Sequence, residues 1–220
     1  KKVIIDSRVE SAKLLFQAAK ETKTDLKAFL SASGINYYGM KTTEKIFRED
    51  DPPSKDFIGK CCVLWEEAAD QFSEMSRVVK LRTGVVLSKK GGALEKIAKP
   101  VKLGVGAPLG SGNQWVPYIH IKDLCRMYLK ALEDDSVEGV FNAVNGDHIT
   151  NKDLTKQTAS ALNKPLWLPN VPAFVLKAAL GEMAGLVLEG SRASADKIRE
   201  KGFEFEFKSL EAALKDIYGG

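Results

Sequence analysis

Helical and extended apolar patterns take turns over the first two thirds of the chain, and this alternation restricts its fold more than any other property. Ile5, Val9, Ala12, Phe16 and Ala19 recur every three or four residues, which predicts an amphipathic helix over about residues 5–20. KAFLSAS (Lys27–Ser33) reads as a short strand that runs into a loop rich in Gly, Asn and Tyr. Phe57, Cys61, Leu64 and Ala68 mark a second helix, and RVVKLRTGVVL (Arg77–Leu87) a second strand. Leu124, Tyr128, Ala131 and Leu132 mark a third helix, followed by the strand GVFNAV (Gly139–Val144). Strands joined through helices give a doubly wound parallel sheet with right-handed crossovers, so the fold class is α/β.

The pattern changes after Val144. Thr150 and Asp153 have the spacing of a capping box for a helix over 151–162. Pro172 suits a helix start, with helical patterns over 172–189 and 195–201 and Gly202 as a terminal cap. FEFEF (Phe203–Phe207) alternates as a half-exposed strand would, and Ser209 caps a last helix ending near Tyr218. These segments form a small α+β lobe. The expected division assigns 1–90 and 115–145 to the sheet domain, and 91–114 and 146–220 to the lobe.

Only three sheet strands precede that lobe, and the chain opens on a helix at KKVIIDSRV, with no initiator methionine and no signal-peptide pattern. The strand bearing the phosphate-binding turn is usually the central one of such a sheet. Without it two strand edges lie open. The expectation is a native polypeptide that is longer at its N-terminus, with the first βαβ unit and its glycine-rich turn absent from this chain.

Composition narrows the partners. The net charge of +4 comes from 33 basic and 29 acidic residues mixed along the chain, with no basic block or aromatic stripe for nucleic acid. No apolar run approaches the roughly 20 residues of a membrane helix. Cys61, Cys62 and Cys125 have neither disulfide nor zinc spacing, which suits a reducing, cytoplasmic setting.

Ser31 and Ser33 end a strand, where ligands bind in open α/β sheets. Their hydroxyls meet a ligand there or satisfy loop amides. Arg82 and Thr83 end the next strand. The arginine reaches a ligand or packs and pairs at the strand end. LGSGNQ (Leu109–Gln114) is loose enough to approach a ligand or shape a lid, but it is not a phosphate loop. His120 and Asp123 fix a loop to a helix start, His148 has no recognisable partner, and the three phenylalanines of FEFEF read as core.

In their order, SASGINYYG, DFIGKCCVLWEEAA, RVVKLRTGVVLSKKGGAL, LGVGAPLGSGNQWVPYIHIKDL and GVFNAVNGDHITNKDL resemble the extended short-chain dehydrogenase/reductases. More narrowly, they are similar to the NAD-dependent epimerase/dehydratase-like branch often labelled cell-division inhibitors or nucleotide-sugar epimerases. GSRASADKIREKGFEFEFKSLEAAL resembles the end of that branch. The resemblance implies an NAD(P)-binding Rossmann sheet with a substrate lobe, NADP(H) as cofactor with NAD open, and a carbonyl or nucleotide-sugar-like substrate. It also implies a monomer or homodimer. Arg8, Ala32, Arg82, Thr83 and Gly84 are then expected at the cofactor, and Gly110, Gln114, Trp115 and Arg192 at the substrate.

In that family a Ser or Thr, a Tyr and a Lys carry the chemistry, the lysine lowering the tyrosine's pKa so that it shuttles a proton. The serine maps to Ser33, with Ser31 second. The Tyr-x-x-x-Lys pair maps to Ile58 and Cys62, and neither side chain performs that role. Three accounts follow. Tyr37 or Tyr38, with Lys60 or Lys41, forms a shifted pair. Alternatively, hydride transfer uses another proton donor. Or the protein has lost catalysis and reads cofactor or metabolite state.

Overall fold

The computed structural model describes residues 1–219. Helix α1 (Lys2–Glu21) leads into strand β1 (Ala28–Gly34), a 3-10 turn over Ile35–Tyr38 and the two-residue strand β2 (Ile46–Phe47). Helix α2 (Phe57–Asp70) follows, capped by Asp56, whose carboxylate accepts from Gly59 N at 2.7 Å. Strand β3 (Arg77–Thr83) is separated by Gly84 from β4 (Val85–Leu87). The order continues through α3 (Gly92–Lys102), β5 (Tyr118–His120), α4 (Ile121–Glu133), β6 (Gly139–Ala143) and α5 (Asn151–Ala161). It ends with α6 (Ala173–Leu180), α7 (Gly185–Leu188), β7 (Arg192–Ala193), α8 (Asp196–Glu200) and α9 (Leu210–Tyr218).

The main sheet is parallel, in the order β1-β3-β6. Side chains alternate across it. Val78 and Phe29 pack with Phe16 and Phe72 on the α1–α2 face, while Val79 and Leu81 join Met127 and Ala131 of α4 in the larger core. That places Ser33, Arg82 and Asn142, which are register partners across the three strands, in one row. A second core joins Leu87, Leu94, Tyr118, Leu154 and Leu214, so α3, β4 and β5 share the packing of the C-terminal helices.

Three expectations change, and one helix is new. The strand expected over Arg77–Leu87 divides at Gly84, where a Cβ would overlap the Pro117 carbonyl oxygen, and β4 pairs with β5 outside the main sheet. Phe203–Phe207 forms no strand ladder, although Phe203, Phe205 and Phe207 are buried and Glu204 and Glu206 exposed. An extended segment needs no sheet to alternate its faces. The helix expected over 172–189 breaks into α6, a 3-10 turn and α7, with Gly181 at φ 56. Helix α3 answers to no sequence expectation; Gly92, Pro100 and its surrounding lysines masked Leu94, Ala98 and Val101, which are buried. By contrast, the Thr150–Asp153 capping box, the Ser209 cap and the left-handed Gly202 lie where the sequence put them.

Candidate functional site

The row of polar residues at the carboxyl end of the sheet is a single buried network. Arg82 Nε donates to Glu66 Oε1 at 2.8 Å and a terminal nitrogen to Glu66 Oε2 at 2.9 Å, a bidentate pair. Its other terminal nitrogen donates to the Tyr38 hydroxyl at 2.9 Å and the Glu49 carbonyl at 3.1 Å. Ser33 Oγ donates to Glu66 Oε1 at 2.7 Å, and the Tyr38 hydroxyl donates to Asn142 Oδ1 at 2.8 Å. Asn142 closes the circuit, its backbone N–H donating to the Glu49 carboxylate at 2.8 Å. The Arg82 guanidinium also lies over the Tyr37 ring, 3.3 Å from its centroid.

This geometry decides what each group is free to do. Arg82 is 2% exposed, and its contacts are internal; the expected reach to a cofactor is replaced by neutralising Glu66. Burial pushes the Tyr38 phenol up to about 12, against the charge of Arg82 and the hydrogen bond it donates. A proton shuttle near neutrality requires the opposite shift. Neither Lys41 nor Lys60 hydrogen-bonds to Tyr37 or Tyr38 among the described residues; the Tyr38 hydroxyl is bonded to Arg82 and Asn142. Ser33 is 3% exposed and spends its proton on Glu66, while Ser31 Oγ turns back to the Ala32 carbonyl at 3.0 Å. Cys62, standing where the family has its lysine, is buried beside Gly34, and burial pushes its thiol up to about 11.

A cavity of about 270 Å³ opens just past the ends of β1 and β3, between Ile35, Asn36 and Val85 on one side and α3, α5 and α7 on the other. Gln114 and Trp115 line it; Gly110 and Arg192 do not. Gly110 turns at φ 58 against Leu188, and its loop is fastened, not loose. Gly110 N donates to the Val171 carbonyl at 2.9 Å, and Asn170 Nδ2 to the Gly110 and Ser111 carbonyls at 3.1 and 3.0 Å. Arg192 stacks 4.6 Å from the Trp115 ring and pairs with Glu44 at 2.9 Å. Arg8, on α1, lies over the Trp65 ring at 4.9 Å. Ala32, Thr83 and Gly84 sit at the strand ends, Thr83 Oγ1 donating to the Leu81 carbonyl at 3.1 Å.

Behind the cavity a second polar cluster holds the C-terminal segment. Asp123, fully buried, accepts from the backbone N–H of Glu206 and Phe207 at 2.9 and 3.1 Å and from Arg126 at 2.8 Å. It is more than a first-turn charge. His120 caps α4, its Nδ1 accepting from Lys122 N at 3.2 Å; its Nε2 lies 3.4 Å from Asp216 Oδ2 without making a hydrogen bond. Burial lowers the His120 pKa against the attraction of Asp216 and Asp123.

Glu66, Glu49 and Asn142 escaped the sequence reading. A signal existed: RVVKLRT places Lys80 and Arg82 on one face of a strand that must be buried. Buried cations demand anionic partners, and Glu66 lies one helical turn beyond Cys62 and two beyond Ile58.

A parallel sheet flanked by helices, with a ligand-sized cavity at its carboxyl edge and a lobe covering it, defines a Rossmann-type protein of the extended short-chain dehydrogenase/reductase kind. The chain belongs to the NAD dependent epimerase/dehydratase family, whose model matches residues 1–144. A domain of unknown function, DUF1731, matches residues 171–217. Epimerase family protein SDR39U1 of Mus musculus is 37% identical over 218 residues, 98% of this chain and 74% of the mouse protein. The chloroplastic SDR39U1 homologue of Arabidopsis thaliana is 36% identical over 219 residues, 99% of this chain; the chain spans 62% of that relative's length. The crystal structure of human SDR39U1 (isoform 2) with NADPH superposes with a TM-score of 0.92 at 34% identity, over 98% of this chain and 73% of that one. A nucleoside-diphosphate sugar epimerase from Corynebacterium glutamicum gives 0.80 at 28% identity, over 100% of this chain and 43% of that one. No helix among the described residues is long and apolar enough to cross a membrane.

Proposed function

We propose that this chain belongs to an NADP(H)-dependent oxidoreductase or epimerase acting on a carbonyl or nucleotide-sugar-like compound. The observation that carries this reading is the cavity just past the carboxyl ends of β1 and β3, where ligands of parallel sheets bind. NADPH is named with the human relative, which favours NADP(H) here. Ala32, Thr83 and Gly84 offer small side chains at the strand ends for the nicotinamide to approach, and Arg8 is the candidate from α1. When bound, the cofactor supplies and accepts hydride. Residues 1–90 and 115–145 would then carry the cofactor, and 91–114 and 146–220 the substrate.

The proton chemistry must differ from the family's usual route. Ile58 has no exchangeable proton and Cys62 supplies no cation at the expected positions, and the Ser33 hydroxyl and Tyr38 phenol are engaged inside the network. Their engagement favours a second reading, a cofactor-binding regulator with little turnover. Fluorescence titration of the intact protein with NADPH and NADH tests the shared part: saturable NADPH binding is expected, and no binding of either nucleotide would refute it. A carbonyl panel separates the two readings. Steady NADPH oxidation that slows in Ser33→Ala removes the regulatory one.

A further inference from the structure

We infer that the cavity takes a small, uncharged, largely apolar alcohol or carbonyl compound anchored on Gln114, and not a nucleotide diphosphate sugar. The inference rests on the proposed function and narrows its substrate class.

Size and wall chemistry agree. At about 270 Å³ the cavity sits just below the range of about 300–1,000 Å³ common for small-molecule sites. Ile35, Val85, Ile97, Leu109, Leu154 and Leu186 form much of the wall. A diphosphate needs cations, or exposed N–H groups at a helix start. One lysine, Lys96, and one carboxylate, Glu189, line the cavity; both are exposed, and their charges offset. Helix α5 begins at the cavity, but its N-terminus is already closed by the Thr150–Asp153 capping box. Arg192 is held on Trp115 and Glu44 and lines a separate cleft of about 10 Å³.

Gln114 supplies the anchor. It is 3% exposed, and its amide nitrogen donates to the Leu109 and Val187 carbonyls at 3.0 and 2.7 Å. Two acceptors on one side fix which way the amide faces. Its Oε1 is buried with no hydrogen-bond partner among the described residues, and so is the neighbouring Trp115 Nε1. An oriented, unpaired acceptor on a residue that lines an apolar cavity selects a ligand that brings a hydroxyl or N–H. The Trp115 indole N–H adds a donor for an oxygen lone pair.

Calorimetry on the intact protein saturated with NADPH tests this with menthol and UDP-glucose as probes. Menthol is expected to bind saturably, and UDP-glucose to give no saturable heat. Ala93→Trp fills the cavity from an exposed position of α3, and Gln114→Leu removes the anchor. Each is expected to weaken menthol by at least about tenfold while leaving NADPH affinity unchanged. Tighter binding of UDP-glucose than of menthol, or menthol binding untouched by Ala93→Trp, overturns the inference. Failure of the wider reading appears separately, as loss of NADPH binding by the unsubstituted protein.

Discussion

Replacing Arg82 with methionine takes the cation away from Glu66 while keeping much of the side chain's volume. Glu66 and Arg82 are 8% and 3% exposed at their side chains, so the stranded carboxylate has little access to water. Tyr38 and the Glu49 carbonyl lose a donor as well. Removing one partner of a buried ion pair costs about 3–5 kcal/mol, because the other charge is left uncompensated. In a chain of this size, each kcal/mol lowers the melting temperature by about 2–4 °C, giving a fall of about 6–20 °C. The double variant Glu66→Leu/Arg82→Met removes both charges and should be more stable than Arg82→Met alone, so the two losses do not add. Thermal and urea unfolding followed by circular dichroism measure all four proteins of the cycle. A loss below about 1 kcal/mol for Arg82→Met, or strict additivity in the cycle, would refute the reasoning.

Three further outcomes follow from other sites. Gly190→Ala drives a Cβ into the Trp115 carbonyl oxygen, and should cost at least about 1–3 kcal/mol and shift tryptophan fluorescence; an unchanged melting temperature contradicts the packing there. Asp56→Ala removes the cap of α2, with an expected loss of about 0.5–2 kcal/mol in urea titrations that Asp56→Asn restores in large part. His120, held neutral by burial, has a folded pKa below its ordinary 6.5. The unfolded chain therefore takes up a proton first, and stability falls as pH drops from 6.5 through the folded value. Denaturation curves of His120→Gln should show a shallower loss over that window, and an identical slope would remove His120 from the acid response.

The alternating periods were enough to read the parallel sheet, because strands joined through helices have few topological solutions. Boundaries failed where local pattern and tertiary contact disagree. Gly84 interrupts one extended run at the point where a Cβ would meet the Pro117 carbonyl, and Phe203–Phe207 alternates without a neighbouring strand to pair with. At the site, Gln114 and Trp115 were readable from the glycine-rich loop that precedes them. The fate of Ser33, Tyr38 and Arg82 was not, since it depends on Glu66, Glu49 and Asn142, which the fold brings in from three separate segments. The missing Tyr-x-x-x-Lys pair was visible at once. The buried Glu66–Arg82 pair was not, because it joins a helix and a strand that only the fold brings together.

Tyr38, whose hydroxyl donates to Asn142 Oδ1 and accepts from Arg82, is expected to act as a fixed phenol and not as a proton shuttle. Nuclear magnetic resonance on the intact, NADPH-loaded protein with ring-labelled tyrosine reads its ionisation directly, with Tyr38→Phe assigning the signal. The account predicts that Tyr38 stays neutral through the physiological range and ionises only toward about 12. Ionisation near neutrality would contradict it.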